Sequence, residues 1–156
     1  MRFLGNKTQI LQNIEDLLAE KGILINGLTF FDAFCGSGSV AEHFKKFYNL
    51  VINDNLNWAV LYTKGRICAN TCTFEHLGFD PFDYLNNCDA KLQGFMYNNY
   101  SPAQSSRMYF TPENAARIDF FRHQIEEWKI NSQISDEEYA YLMSCLIESV
   151  SLVSNT

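Results

Sequence analysis

Two glycines one residue apart, Gly36 and Gly38, follow the apolar run Phe30-Phe31-Asp32-Ala33-Phe34-Cys35, and a helical pattern comes after them. A bend of this kind between a strand and a helix turns backbone N–H groups and a helix N-terminus toward a nucleotide-like ligand. A second apolar run, Leu50-Val51-Ile52-Asn53-Asp54, closes on a carboxylate. An acid at the end of the second strand is placed to accept both hydroxyls of a ribose. A G-x-G pair alone also fits a plain turn, and Asp54 alone fits a turn acid. The strand before, the helix after and the acid beyond favour a ligand loop.

The stretch is read as lacking the G-x-G-x-x-G/A dinucleotide fingerprint, because no pyrophosphate-type loop continues after Ser39-Val40-Ala41. The pattern therefore fits a cofactor with a ribose and no pyrophosphate, for which S-adenosylmethionine is the candidate.

The elements that must hold these residues alternate. A helix opens near Thr8, with Ile10, Leu11, Ile14, Leu17 and Leu18 on one stripe, and stops at Gly22. The first strand is expected over 28–34, a helix over 40–48, the second strand over 51–54 and another helix over 57–69. This order argues for a parallel sheet with helical cover. Residues 75–110 are irregular and rich in turn residues, with a short strand suggested at Gly94-Phe95-Met96-Tyr97. Thr111-Pro112-Glu113 starts a helix with an apolar stripe of Ile118, Phe121, Ile125 and Trp128, and Glu113 is spaced to pair with Arg117. Ser135-Asp136-Glu137-Glu138 is a capping box that opens a second helix, giving a helical hairpin.

Composition sets bounds. The 156 residues, 47% hydrophobic, suffice for one domain with a core. Aromatics reach 15%, with 13 Phe and 8 Tyr, enough to fill a core and still leave rings to stack on bases. The net charge of −6 gives no general support for a stand-alone nucleic-acid binder, which ordinarily carries a basic surface. Five cysteines form no C-x-x-C pair, and Cys68-x-x-x-Cys72 lacks a second ligand pair. Reduced thiols in a cytoplasmic protein are the favoured reading, with no metal. No signal peptide and no membrane-length apolar run are seen.

Taken together, several strings resemble the Dam-type, D12-class family of DNA adenine-N6 methyltransferases. Arg2-Phe3-Leu4-Gly5-Asn6-Lys7 resembles the family's N-terminal cofactor segment, Asp32-Ala33-Phe34-Cys35-Gly36-Ser37-Gly38 its D-x-F-x-G-[SG]-G motif, and Asn53-Asp54 its acid after the second strand. Phe95–Pro102 and Arg107–Ala115 are similar to a longer family block that leads into the hairpin. The resemblance implies an α/β fold: an incomplete Rossmann-like methyltransferase sheet with a C-terminal helical hairpin. It implies S-adenosylmethionine as cofactor, adenine in double-stranded DNA as substrate and a restriction–modification setting.

Carried over residue by residue, Lys7 would approach the cofactor's carboxylate and Phe3 would pack on it. Asp32, Phe34, Gly36 and Gly38 would form the loop beneath it, and Asp54 would take the ribose. Residues 1–74 would be the cofactor-binding half and 75–156 an irregular and helical region that contacts DNA. Tyr100, Arg107 and Tyr109 could face DNA or be structural. Arg117 and Arg122 are candidate phosphate contacts, although helical spacing sets them about 140° apart.

One departure is decisive. The family's catalytic D-P-P-[YFW] motif lies after the hairpin, and it is absent here. Asp80-Pro81-Phe82 has one proline, precedes the hairpin and is read as a turn or strand boundary. No catalytic residue is identified. The chain is expected to be the cofactor-binding part of a methyltransferase, with a second polypeptide supplying the catalytic half. The alternatives are a non-catalytic cofactor- or DNA-binding subunit, a truncated product that needs a partner chain, and a small-molecule methyltransferase with the same loop; the block from Phe95 to the hairpin speaks against the last.

Overall fold

The computed structural model describes residues 7–155. Phe3, named above as a cofactor contact, lies outside them. After a 3-10 turn at Thr8–Ile10 comes α1 (Leu11–Glu20). Leu11, Ile14 and Leu18 of its apolar stripe are half-buried, whereas Ile10 and Leu17 are exposed. Next come β1 (Thr29–Asp32), α2 (Ser39–Phe44), β2 (Asn49–Ile52) and α3 (Asn57–Cys68). Both strands start and stop earlier or later than the apolar runs suggest: β1 is shorter than 28–34, and β2 precedes rather than includes Asp54.

β1 and β2 pair in parallel, with Phe30 opposite Leu50 and Phe31 opposite Val51. They are the whole sheet among the described residues. One face is covered: Phe30 stacks on Phe44 of α2, centroids 5.1 Å apart, and on Tyr48 at 5.5 Å. The other is bare, with Phe31 60% and Val51 50% exposed.

The remaining helices are α4 (Pro81–Asn87), α5 (Phe95–Tyr100), α6 (Pro112–Ile130) and α7 (Asp136–Val153). Two of them correct the sequence reading. Asp80-Pro81 is no turn or strand boundary: the Asp80 carboxylate accepts from the Phe82 and Asp83 N–H groups and Pro81 takes the first helical position. The segment at Phe95 is a helix, not a strand. Its first N–H groups are satisfied from outside by Asp119 of α6, a buried carboxylate that accepts from Gly94, Met96 and Tyr97 at 3.1, 2.9 and 2.8 Å. That partner, 22 residues or more away in the chain, outweighs local strand preference.

The expected Glu113–Arg117 pair gives way to other partners. Glu113 meets Lys91 at 2.8 Å, and Arg117 donates to the carbonyls of Cys88 and Leu85 at 3.2 Å each.

The hairpin forms as its caps predict, with the Ser135–Glu138 box complete. Its core gathers Phe74, Leu77, Leu85, Ile125, Trp128, Ile134, Leu142 and Leu146. α7 also packs along α3. The close approach is at Gly65, where an added Cβ would lie 2.2 Å from the Ala140 carbonyl oxygen. No helix of the described residues is long and apolar enough to cross a membrane.

Candidate cofactor site

The two strand ends meet through backbone and side-chain bonds. Asn53 N–H donates to the Asp32 carbonyl and Cys35 N–H to the Asn53 carbonyl, each at 2.9 Å. Both continue the parallel ladder past the strands, so the loop after β1 starts at a fixed height above β2. The chain then turns sharply. Gly38 N–H returns to the Cys35 carbonyl at 2.7 Å, and Gly36 and Gly38 both adopt left-handed backbone, φ 51° and 75°. Glycine is favoured there because a side chain would crowd its own carbonyl. At Gly38 a Cβ would also lie 2.8 Å from the Thr63 hydroxyl oxygen.

Asp54 stands beside this turn. One carboxylate oxygen accepts from Gly36 N–H at 2.9 Å and the other from Leu56 N–H at 3.0 Å. The Leu56 and Gly36 N–H groups hold its carboxyl below the ordinary value against a smaller opposing effect of burial. It is thus ionised at neutral pH. An ionised carboxylate has room for about four donors, so each oxygen keeps capacity for one more. That is what two vicinal hydroxyls require.

Asp32, at the end of β1, is held differently. Burial pushes its carboxyl upward, opposed by the Phe34 and Ala41 N–H groups, and the nearby Asp54 charge adds to the rise. Its Oδ2 is buried without a hydrogen-bond partner among the described residues. A buried acceptor with no donor is costly, and such atoms mark places where a ligand supplies the donor.

The loop is braced from α3. Thr63 Oγ1 donates to the Gly36 carbonyl at 3.3 Å, and Arg66 donates to the Ser37 carbonyl at 3.2 Å while pairing with Glu42 of α2. Arg66 also reaches the Tyr62 hydroxyl at 3.4 Å, and that hydroxyl donates to Glu148 of α7. Burial, with the Glu148 bond, pushes the Tyr62 phenol up to about 12, so it remains a donor. A cleft of about 300 Å³ lined by Thr8, Leu11, Ser39, Glu42, His43 and Arg66 adjoins the loop.

The structure thus gathers Asp32, Gly36, Gly38 and Asp54 at one turn. Phe34 sits on the same bend, 87% exposed. Lys7 is exposed and directly precedes Thr8, which lines the cleft shared with Ser39. Tyr100, Arg107 and Tyr109 come together elsewhere, on α5 and the loop after it. Arg117 is occupied by backbone carbonyls and lies over Phe121, 4.9 Å from its centroid; Arg122 lines a separate cleft with Asp119 and Glu126.

Sequence reasoning missed Thr63, Tyr62, Arg66 and Glu148. The signal for α3 was Gly65, an isolated glycine in a helical pattern, which often marks close backbone approach. Reading the loop as lacking the dinucleotide fingerprint also needs correction. Gly36-x-Gly38-x-x-Ala41 has that spacing, and Ala41 is fully buried at the close-packing position between α2 and the sheet. Loop spacing alone therefore does not choose between a dinucleotide and S-adenosylmethionine.

Comparison with known proteins gives the family. The family model "D12 class N6 adenine-specific DNA methyltransferase" matches residues 3–156. The chain is 39% identical over 163 aligned positions to the type II methyltransferase M.FokI of Planomicrobium okeanokoites, covering 99% of this chain and 25% of that protein. It is 38% identical to the modification methylase LlaI of Lactococcus lactis, covering 100% of this chain and 26% of that one. With the type II methyltransferase M.NlaIII of Neisseria lactamica the identity is 28%, over 100% of this chain and 47% of the relative. The chain belongs to the D12 class of N6 adenine-specific DNA methyltransferases. It spans about a quarter of the length of M.FokI and LlaI. No solved structure matches it.

Proposed function

We propose that this chain is the S-adenosylmethionine-binding part of a DNA adenine-N6 methyltransferase with a Rossmann-like sheet. S-adenosylmethionine supplies an electrophilic methyl group when bound. The observation that carries the reading is the Asp54 carboxylate, ionised and tied to the glycine turn by the Gly36 N–H, with an acceptor site left on each oxygen. Asp54 would take the ribose hydroxyls. Asp32, through its unpartnered Oδ2, would accept from the ammonium of the methionine part, and Lys7 would meet its carboxylate. Phe34 would cover the cofactor from the bend, and Gly36 and Gly38 allow it to lie close to the backbone. Phe3 would pack on it.

Under this proposal residues 1–74 are the cofactor-binding half and 75–156 the part that approaches DNA. The D-P-P-[YFW] acid and aromatic, which in this family engage the target amine and stack on the flipped adenine, are not among the 156 residues. They would come from polypeptide outside them, as would further strands against β1 and β2. Among the described residues each strand has an unpaired margin along which further strands would pair, and the bare face at Phe31 and Val51 would take a covering layer; both support that part of the reading.

Isothermal titration of S-adenosylmethionine into the folded chain tests the cofactor site. Each hydrogen bond to a charged group contributes about 1.5–3 kcal/mol. Asp54→Ala, which removes two, is expected to weaken binding by roughly a hundredfold or more. No heat with the wild-type chain overturns the proposal. A methylation assay on plasmid DNA tests the rest: the chain alone is expected to be inactive, and adding a polypeptide that carries D-P-P-Y is expected to give transfer.

A further inference from the structure

α5 and the loop that joins it to α6 gather rings that sequence spacing leaves scattered. Phe95 and Tyr100 sit with centroids 5.7 Å apart, and Tyr100 and Tyr109 at 5.8 Å. The Arg107 guanidinium lies over Tyr100, 5.1 Å from its centroid. Much of this surface is open to solvent: Phe95 is 56%, Tyr109 44% and the adjoining Met108 69% exposed. Exposed rings on a surface loop normally bury themselves or meet a partner.

The patch is also rigid. Asp119 fixes the start of α5, Phe110 N–H donates to the Tyr100 carbonyl at 3.1 Å, and Asn155, just past α7, donates to the carbonyls of Tyr109 and Met108 at 2.8 and 2.9 Å. A surface ordered before binding loses little conformational entropy on binding.

Charge says which partner fits. The chain carries −6 overall, yet residues 90–112 contain no Asp or Glu, and their only charged side chains are Lys91 and Arg107. Lys91 is paired with Glu113. Arg107 forms no ion pair among the described residues. A guanidinium without an ion-pair partner among the described residues, set among rings tilted against one another in the longest acid-free stretch of an acidic chain, complements a polyanion that also offers flat aromatic faces.

We propose that Phe95, Tyr100, Tyr109 and Arg107 form a stacking platform for unpaired bases of DNA, with Arg107 on the adjoining phosphate. In a duplex the base faces are covered by their neighbours, so the platform takes bases at a strand opened by extrusion of the target. It is separate from the glycine turn. The proposal rests on the reading above that this protein works on DNA.

Fluorescence anisotropy with a labelled single-stranded oligonucleotide, and with the duplex of the same sequence, tests it on the 156-residue chain. The single strand is expected to bind more tightly than the duplex. Tyr109→Ala and Phe95→Ala should each weaken it roughly 5- to 150-fold, while Tyr109→Trp, which keeps a stacking face, should retain binding. Arg107→Ala should lower the slope of log K against log salt by about 0.7, the value for one phosphate contact on a single strand. Both exposed-site variants are checked for folding by circular dichroism. Folded variants that bind single strands as the wild type does overturn the proposal. So does a wild-type chain that prefers duplex, or a Tyr109→Ala change that only dissociates a dimer. Titration of S-adenosylmethionine on the same samples separates the two readings. Cofactor heat without a platform effect removes this inference alone, and absence of heat removes the cofactor reading whatever the anisotropy.

Discussion

Two aspartates a few residues from the same bend are held in opposite senses, and the difference is testable. Asp54 gains backbone donors and its carboxyl falls below the ordinary value; Asp32 loses solvent and its carboxyl rises. A carboxyl with a raised folded-state pKa favours the folded chain only while protonated. That contribution is complete below the unfolded value near 4 and is lost as pH rises through the raised value. Asp32→Asn should therefore raise the melting temperature at pH 7, with the gain vanishing below about pH 3. It should weaken S-adenosylmethionine binding at the same time. A thermal melt series against pH, with titration at pH 7, checks both. At the loop's other end, Gly38→Ala meets left-handed backbone and the Thr63 side chain together. It should cost about 2–4 kcal/mol by denaturant titration. Adding Thr63→Ala should recover the steric part and leave the backbone part.

At the scale of elements, the chain uses distant carboxylates to finish what local sequence begins. Glu138 closes its own capping box through the Ser135 N–H and also receives the Phe74 N–H, at a residue with φ 56°. Burial alone would raise its carboxyl, but the backbone donors at Ser135 and Phe74 outweigh burial and hold it below the ordinary value. Its contribution is present above the ordinary Glu value and lost as pH falls through the lowered one. Glu138→Gln should thus cost about 1–3 kcal/mol at pH 7, the gap closing below about pH 4. Gly65→Ala should cost about 3 kcal/mol or more, since its Cβ meets the backbone of α7 and neither helix can yield cheaply.

These elements also mark what sequence can disclose. Thr111-Pro112 and Ser135–Glu138 announce α6 and α7 because each cap is satisfied within its own turn. Asp80-Pro81 carries the same signature as Thr111-Pro112 and was legible on that rule. α5 was not, because Asp119 supplies its donors' partner from another helix. In the site, Gly36, Gly38 and Asp54 were legible from the order strand, bend, acid. Arg66 and Tyr62 were not, because their partners Ser37, Glu42 and Glu148 converge only in the folded chain.

For the molecule as a whole, the Arg66–Tyr62–Glu148 chain of bonds joins the glycine turn to α7, and α7 ends beside the ring platform through Asn155. The bare sheet face lies outside that frame. Replacing Phe31 and Val51 together by Thr should reduce binding of an apolar dye and suppress light scattering on heating, because an uncovered apolar sheet face favours self-association.

Among the described residues β1 and β2 each have only one neighbour, and in a parallel pair successive amides of a strand alternate sides. The ladder uses the N–H groups of Asn49 on β2, of Asn53 just past it and of Cys35 beyond β1. By that phase, Phe30, Asp32, Leu50 and Ile52 turn theirs outward. In deuterated water each ribbon would then exchange as a two-beat pattern, every second proton leaving early. Only docked polypeptide along either margin would even out the rhythm.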